Sequence, residues 1–256
     1  MTLTLDRITK TFDNGVAALQ ETSLTLASGE FVSFVGPSGC GKSTLLRIVA
    51  GLTAPSTGRV NWGAGMEPPD LAFVFQEPAL MPWATVADNL GLPLRLAARP
   101  RHQARSTIAD ALRLVGLEGF RQAYPRQLSG GMKMRVSIAR ALVTDPQVLL
   151  MDEPFGALDD ITRTQLNEDL LALWGEQGWT VLFVTHNLYE AVFLSGRVMV
   201  MSPRPGRIRA EIAIDSPQPR SPSFRNSPAY TAYCQQVAAA LGAAMAEGGS
   251  RTVPSP

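Results

Sequence analysis

The stretch Gly36-Pro37-Ser38-Gly39-Cys40-Gly41-Lys42-Ser43-Thr44 decides how the chain is read. An apolar run, Phe31-Val32-Ser33-Phe34-Val35, precedes it, and a second, Leu45-Leu46-Arg47-Ile48-Val49-Ala50, follows. That order is strand, tight loop, helix, and the spacing G-x-x-x-x-G-K-S is that of a phosphate-binding loop. Gly36, Gly39 and Gly41 let the backbone wrap closely and turn successive N–H groups toward an anion. The helix beginning near Lys42 aims its positive dipole end the same way. The Lys42 ammonium can reach β- and γ-phosphates, and the Ser43 hydroxyl can ligate Mg²⁺. Cys40 lies near a helix N-terminus, a setting that favours thiolate, so a maleimide is expected to inhibit.

Outward from this loop, Val148-Leu149-Leu150-Met151 runs into Asp152 and Glu153. Four consecutive apolar residues suit a central parallel strand buried on both faces. Ligand sites in such sheets lie at the carboxyl ends of strands, which places both carboxylates beside the phosphate loop, where Mg²⁺ and water would sit. Thr180-Val181-Leu182-Phe183-Val184 is a second buried strand with His186 at its end, which favours a functional over a structural histidine. Leu128-Ser129-Gly130-Gly131 precedes a helical segment, Met134 to Val143, and its paired glycines make a second N-terminal anion site.

The remaining chain sorts by periodicity. Leu3-Thr4-Leu5 and Thr22 to Leu26 alternate like half-buried strands, with a turn at Asp13-Asn14-Gly15 between them. By its position alone, Phe12 reads as a core aromatic. Gly51 and the Pro55–Gly58 region mark a stop and a turn. Leu71 to Phe75 is a short strand that runs directly into Gln76. The following Glu77-Pro78-Ala79-Leu80-Met81-Pro82-Trp83 is proline-broken yet strongly apolar, so either its own domain or a partner covers it. Val86 to Leu117 is helical, and its Arg95, Arg99, Arg101 and Arg105 read as a solvated face rather than a nucleic-acid site. Val198 to Met201 and Arg209 to Ile214 are late strands. From Ser216 the tail is Pro/Ser-rich, with one helix expected from Tyr230 to Met245 and a disordered end.

The 256 residues, 45% hydrophobic, allow one sizeable domain or a core with a subdomain. A formal net charge of +1 argues against bulk attraction to nucleic acid or anionic lipid. No stretch approaches the ~20 apolar residues needed to cross a bilayer, and the N-terminus lacks a signal-peptide core. Two cysteines, Cys40 and Cys234, form neither a disulfide framework nor a metal pattern, which fits a reducing cytoplasm.

Taken together, the phosphate loop, Gln76, Leu128–Gly131, the VLLMDE strand, Ala157-Leu158-Asp159 and His186 resemble, in order and spacing, the ATP-binding subunits of ABC transporters. The resemblance covers about residues 1–215. The wording FVFQEPALMPWATVADNL, LSGGM and MSPRPGRI is similar to the nitrate/sulfonate/taurine branch of importers. It implies an α/β fold: a P-loop NTPase (RecA-like) core with an antiparallel β subdomain and an inserted α-helical subdomain at about 86–140, followed by a tail at 216–256. The implied cofactors are ATP and Mg²⁺. Phe12 would stack on adenine, against the positional reading, and Gly36, Pro37, Ser38, Gly39, Cys40, Gly41, Lys42, Ser43 and Thr44 would hold the phosphates. Gln76 would sense the γ-phosphate and metal, with Ser43 and Asp152 as the other metal-site residues. Glu153 would polarise the attacking water and His186 would hold the γ-phosphate. Ser129 and Gly131 would contact the γ-phosphate bound by an opposite copy, and Gly130 and Asp159 would also belong to the nucleotide-binding set, so the implied partners are a second copy and a membrane permease docking near Leu80–Trp83. A solute-binding protein would be an indirect partner, and nucleic acid none. The implied location is peripheral, on the cytoplasmic face of the inner membrane.

Met132, Lys133-Met134, Asn187 and Phe12 depart from the commonest family pattern, and all lie outside the reacting centre. A soluble or exporter-type ABC ATPase is the alternative. DNA-type members carry a coiled-coil or zinc insertion and translation-type members carry two cassettes, neither of which is present here. A small-molecule kinase has no use for LSGG.

Overall fold

In the computed structural model, which describes residues 2–63 and 70–249, strands and helices alternate along most of the chain. They are β1 (Thr2–Thr11), β2 (Ala17–Ala27), β3 (Phe31–Val35), α1 (Lys42–Val49), β4 (Thr57–Asn61), β5 (Leu71–Val74), α2 (Val86–Leu96), α3 (Arg101–Leu114) and α4 (Gly130–Leu142). After these come β6 (Val148–Asp152), α5 (Asp160–Gln177), β7 (Thr180–Thr185), α6 (Leu188–Leu194), β8 (Arg197–Met201), β9 (Ile208–Ala213) and α7 (Pro228–Gly249). Two sheets form, an antiparallel one in the order β2-β1-β4 and a six-stranded one in the order β5-β6-β7-β3-β8-β9. All neighbours in the larger sheet are parallel except β8 and β9.

The unbroken apolar runs follow from that order. Every residue of β3, β6 and β7 is buried, because both sheet faces are covered. Successive side chains go to opposite faces. Phe31 and Val35 join a cluster with α4, α5, α6 and α7, while Val32 and Phe34 join one with α1 and the antiparallel sheet. A third cluster lies within 86–143, among α2, α3 and α4. Helix α4 serves two clusters with two stripes, Met134, Ile138 and Leu142 toward the sheet and Val136, Ala139 and Val143 toward α2 and α3.

Two expectations shift. The Pro55–Gly58 region does not end in a turn at Gly58, because β4 already begins at Thr57. Gly58 has φ +81°, and a Cβ there would lie 2.3 Å from the Arg7 carbonyl oxygen, so its glycine serves a bulge against β1. Helix α4 starts at Gly130, earlier than Met134, because the Ser129 hydroxyl caps it by accepting from the Met132 N–H at 3.2 Å.

The tail helix extends beyond the expected Tyr230–Met245 and buries Tyr230, Cys234, Val237 and Ala244 against the core. Arg220 fastens the segment that leads to it. Its Nη1 donates to the carbonyls of Val192, Phe193 and Ser195 at 3.2, 3.0 and 2.8 Å, and its Nη2 to that of Ile214 at 3.1 Å. Three of these carbonyls lie at the C-terminal end of α6, where helix carbonyls lack intrahelical donors. Burial pulls the Arg220 guanidinium below its ordinary pKa. The disordered end expected after this helix lies outside the described residues.

Candidate nucleotide site

At the end of β3 the chain turns sharply through Gly39 (φ +73°) and Gly41 (φ +108°) into α1. Gly41 is also a point of close approach, since a Cβ there would lie 2.7 Å from the Ala18 carbonyl oxygen. Beside this loop opens a cavity of about 330 Å³ lined by Phe12, Asn14, Val16, Ala18, Gly39, Gly41, Lys42, Ser43, Thr44, Glu153 and Arg204. Phe12 is not a core aromatic as position alone suggested. It is 41% exposed and forms one wall of the cavity, with the Lys10 ammonium 5.2 Å from its ring centroid. Lys42 is buried, and its Nζ donates to the carbonyls of Gly36 and Pro37 at 2.8 and 3.1 Å and lies 3.8 Å from Glu153 Oε1.

Two carboxylates approach from the end of β6. The Ser43 hydroxyl donates to Asp152 Oδ1 at 2.8 Å across 109 residues of sequence. Burial raises the Asp152 pKa, and the Ser43 hydrogen bond partly offsets this. Glu153 adopts φ +47°, unusual for a residue with a side chain, and its N–H donates to the Val184 carbonyl at 2.8 Å. That posture brings Glu153 Oε2 to 2.8 Å from His186 Nδ1. Gln76 and His186 converge on Gly156, where a Cβ would lie 3.8 Å from Gln76 Nε2 and 3.6 Å from His186 Cε1.

Behind His186, the Thr185 hydroxyl donates to the buried Glu190 at 2.6 Å and accepts from the Asn187 N–H at 2.9 Å. Arg163 faces the other Glu190 oxygen at 3.6 Å and donates to the Leu158 carbonyl at 2.7 Å. The His186 loop and the Gly156–Asp159 loop are thereby strapped together.

Ser129, Gly130, Gly131 and Asp159 do not line the cavity. They sit near one another instead. A Cβ on Gly130 would lie 3.3 Å from Leu158 Cδ2, and one on Gly131 would lie 2.5 Å from Thr162 Cγ2. Asp159 caps α5 by accepting from the Thr162 N–H at 3.0 Å.

The reactive-thiolate expectation for Cys40 is overturned. Its side chain is buried, and burial raises the thiol pKa despite the nearby Lys42 ammonium. The helix-end field acts on a group that water and reagents do not reach.

The apolar loop after Gln76 divides. Leu80 packs against the third cluster, whereas Trp83 is 76% exposed. Asn89 and Arg140 hold the loop backbone: Asn89 accepts from the Met81 N–H at 2.8 Å, and Arg140 donates to the Ala79 and Pro78 carbonyls at 2.8 and 2.9 Å. Neither holder was found from sequence, nor was Arg204. The two arginines carry no local signal, since their partners lie far along the chain, and Asn89 shows none because its bonds to Met81, Ala84 and Thr85 depend on the fold of the intervening loop.

The ABC transporter family profile matches residues 19–156. The taurine import ATP-binding protein TauB of Rhizobium johnstonii is 48% identical over 203 residues, covering 78% of each chain. The aliphatic sulfonates import ATP-binding protein SsuB of Bacillus licheniformis is 42% identical over 243 residues, covering 93% of each. Among solved structures, the ATP-binding cassette MJ0796, a dimeric post-hydrolysis state bound to ADP and Pi, superposes with a TM-score of 0.73 at 33% identity, covering 84% of this chain and 99% of that one. The chain belongs to the ABC transporter family and is an ATP-hydrolysing, ATP-binding subunit. Among the described residues no helix is long and apolar enough to cross a membrane.

Proposed function

We propose that this subunit powers import of a small sulfonate- or taurine-type solute, working as an ATP-sandwich dimer beneath a separate permease. The observation that supports this most is a division within one chain. Lys42 and Glu153 line the cavity, with His186 bonded to Glu153, while Ser129–Gly131 and Asp159 lie together outside the lining and make no bond to these three. A second copy turned end for end would bring its Ser129–Gly131 over this copy's phosphate loop. The names of the TauB and SsuB relatives support import of a sulfonate. The cassette would span 1–215 with its helical part at about 86–140, and 216–256 would form the tail. The assembly would sit peripherally on the cytoplasmic face of the membrane.

Within the site, Phe12 stacks on adenine, and residues 36–44 cradle the phosphates through backbone N–H groups and Lys42. The Ser43 hydroxyl and the Asp152 carboxylate, which bond to one another, would hold Mg²⁺ together with the Gln76 amide oxygen, all hard donors that suit it. When bound, Mg²⁺ supplies charge neutralisation on the phosphates. Glu153 takes a proton from water as the water oxygen attacks the γ-phosphorus and the bond to the ADP oxygen breaks. His186 orients Glu153 through Nδ1 and holds the γ-phosphate.

The test is to purify the tagged chain from detergent-solubilised membranes and identify what accompanies it. A permease in stoichiometric amount, with MgATP hydrolysis in the eluate, is the expected result. Hydrolysis with no integral-membrane partner would overturn the transport reading, and no hydrolysis at all would overturn the site.

A further inference from the structure

The β8–β9 hairpin brings a second cation to the nucleotide cavity. Its tip is fixed from two sides. The Gly206 N–H donates to the Ala18 carbonyl at 2.9 Å and the Gln20 N–H donates to the Gly206 carbonyl at 2.9 Å, which stitches the tip to β2. On the other side the tip presses on the phosphate loop so closely that a Cβ on Gly206 would lie 1.8 Å from the Cys40 carbonyl oxygen. Arg204, two residues earlier, is therefore delivered to a set place. Its Nε donates to the Gly39 carbonyl at 3.1 Å, and its side chain lines the cavity with Lys42, Ser43 and Thr44.

Arg204 is exposed, and among the described residues no carboxylate forms an ion pair with it. One of its N–H groups is spent on the loop that surrounds the phosphates. The rest of the guanidinium, with its planar fork of donors, remains at the rim of a cavity built for a polyanion. By contrast, the Lys42 ammonium already holds two backbone carbonyls and lies near Glu153.

We propose that Arg204 is a nucleotide-binding residue that clamps the phosphate chain of ATP and ADP from the hairpin side. The assignment rests on the ATPase reading of the cavity. A guanidinium makes charge-assisted bonds to phosphate oxygens that a compact ammonium reproduces only in part. The bonds form with substrate and product alike, so Arg204 contributes to nucleotide affinity and little to the chemical step.

The test uses the full-length subunit with MgATP and MgADP. Arg204→Ala should raise the Kd for both, and the KM for MgATP, by about tenfold or more, with kcat within about threefold of the parent. Arg204→Lys should recover part of the loss, and the difference from Arg204→Ala should shrink with added KCl. Melting of the nucleotide-free variants should move by about 2 °C or less, since the residue is on the surface. MgATP and MgADP affinities of Arg204→Ala equal to those of the parent would overturn the assignment, as would a fall in kcat at unchanged KM. Lys42→Ala separates this from failure of the wider reading. If the parent binds MgATP, Lys42→Ala loses it and Arg204→Ala keeps it, only Arg204 is wrongly placed. If the parent does not bind MgATP, the site itself is wrongly read.

Discussion

Glu153 and His186 hold one another: Oε2 of the carboxylate and Nδ1 of the imidazole are 2.8 Å apart, though 33 residues separate them in the chain. The other oxygen of Glu153 lies 3.8 Å from the Lys42 ammonium. Both ends of the carboxylate are thus oriented, one by a ring at the end of β7 and one by the phosphate loop. In its proposed role as base, Glu153 would meet a water in a fixed geometry, and a substitution at either neighbour would loosen it.

Glu153→Gln should keep MgATP affinity and lower kcat by about 10²–10⁴, the usual contribution of a general base. The variant should elute as a dimer on size exclusion in MgATP. His186→Ala should lower kcat by about 10² through misplacement of Glu153. Phosphate release by all three proteins at saturating MgATP decides the matter, and parent-like turnover by Glu153→Gln removes the base from Glu153.

Cys40 should resist labelling. Its burial and raised pKa both suppress thiolate, so maleimide at neutral pH should react far more slowly with the folded subunit than with a free thiol. Raising the pH should accelerate labelling only above the ordinary thiol range, because a raised pKa moves the thiolate to higher pH. Mass spectrometry before and after unfolding reads both cysteines. Rapid stoichiometric modification of Cys40 in the folded chain at pH 7 contradicts the burial argument.

Trp83→Ala should weaken assembly with the permease by ~2 kcal/mol or more, as expected for a central aromatic anchor. ATP hydrolysis by the isolated subunit should stay near parent level, since Trp83 is outside the cavity lining and its loop is held by Asn89 and Arg140. Both quantities are measured on one preparation. Collapse of hydrolysis with intact assembly assigns the loop to the catalytic machinery instead.

Arg220→Met should destabilise the fold by about 1–3 kcal/mol, the scale of leaving buried neutral acceptors without a donor. Four carbonyls lose their donor at once. A urea midpoint within error of the parent would show that water replaces the guanidinium without cost.

The central sheet and the phosphate loop were legible because their causes are local. Double-sided burial writes itself as unbroken apolar runs in β3, β6 and β7, and the anion-facing backbone needs glycine at set spacing. Partners supplied from far along the chain leave no such trace. Phe12 looked like a core residue because an aromatic beside a strand is usually covered, and its exposed wall position depends on the cavity. Cys40 looked reactive because a helix end is visible in sequence, whereas it is buried in a cluster with residues from other elements, among them Leu19, Met199 and Met201. Gly58 looked like a turn because a bulge opposite Arg7 is set by β1.

The strand order has a bearing on synthesis. Asp152 and Ser43 bond across the gap between β6 and β3, yet the strand seated in that gap is β7, made of Thr180–Thr185. A nascent chain that has emerged as far as Glu153 therefore owns the phosphate loop and both carboxylates and still has no site, because the strand that sets their separation has not been made. At about 5–20 residues per second, the interval to Thr185 lasts seconds. During it, β3 and β6 each carry two apolar faces and an unpaired edge, the kind of segment that chaperones shield. A truncated message that ends before β7 would yield a chain bearing the phosphate loop, Leu128–Gly131 and both carboxylates, without His186 and without the strand that spaces them.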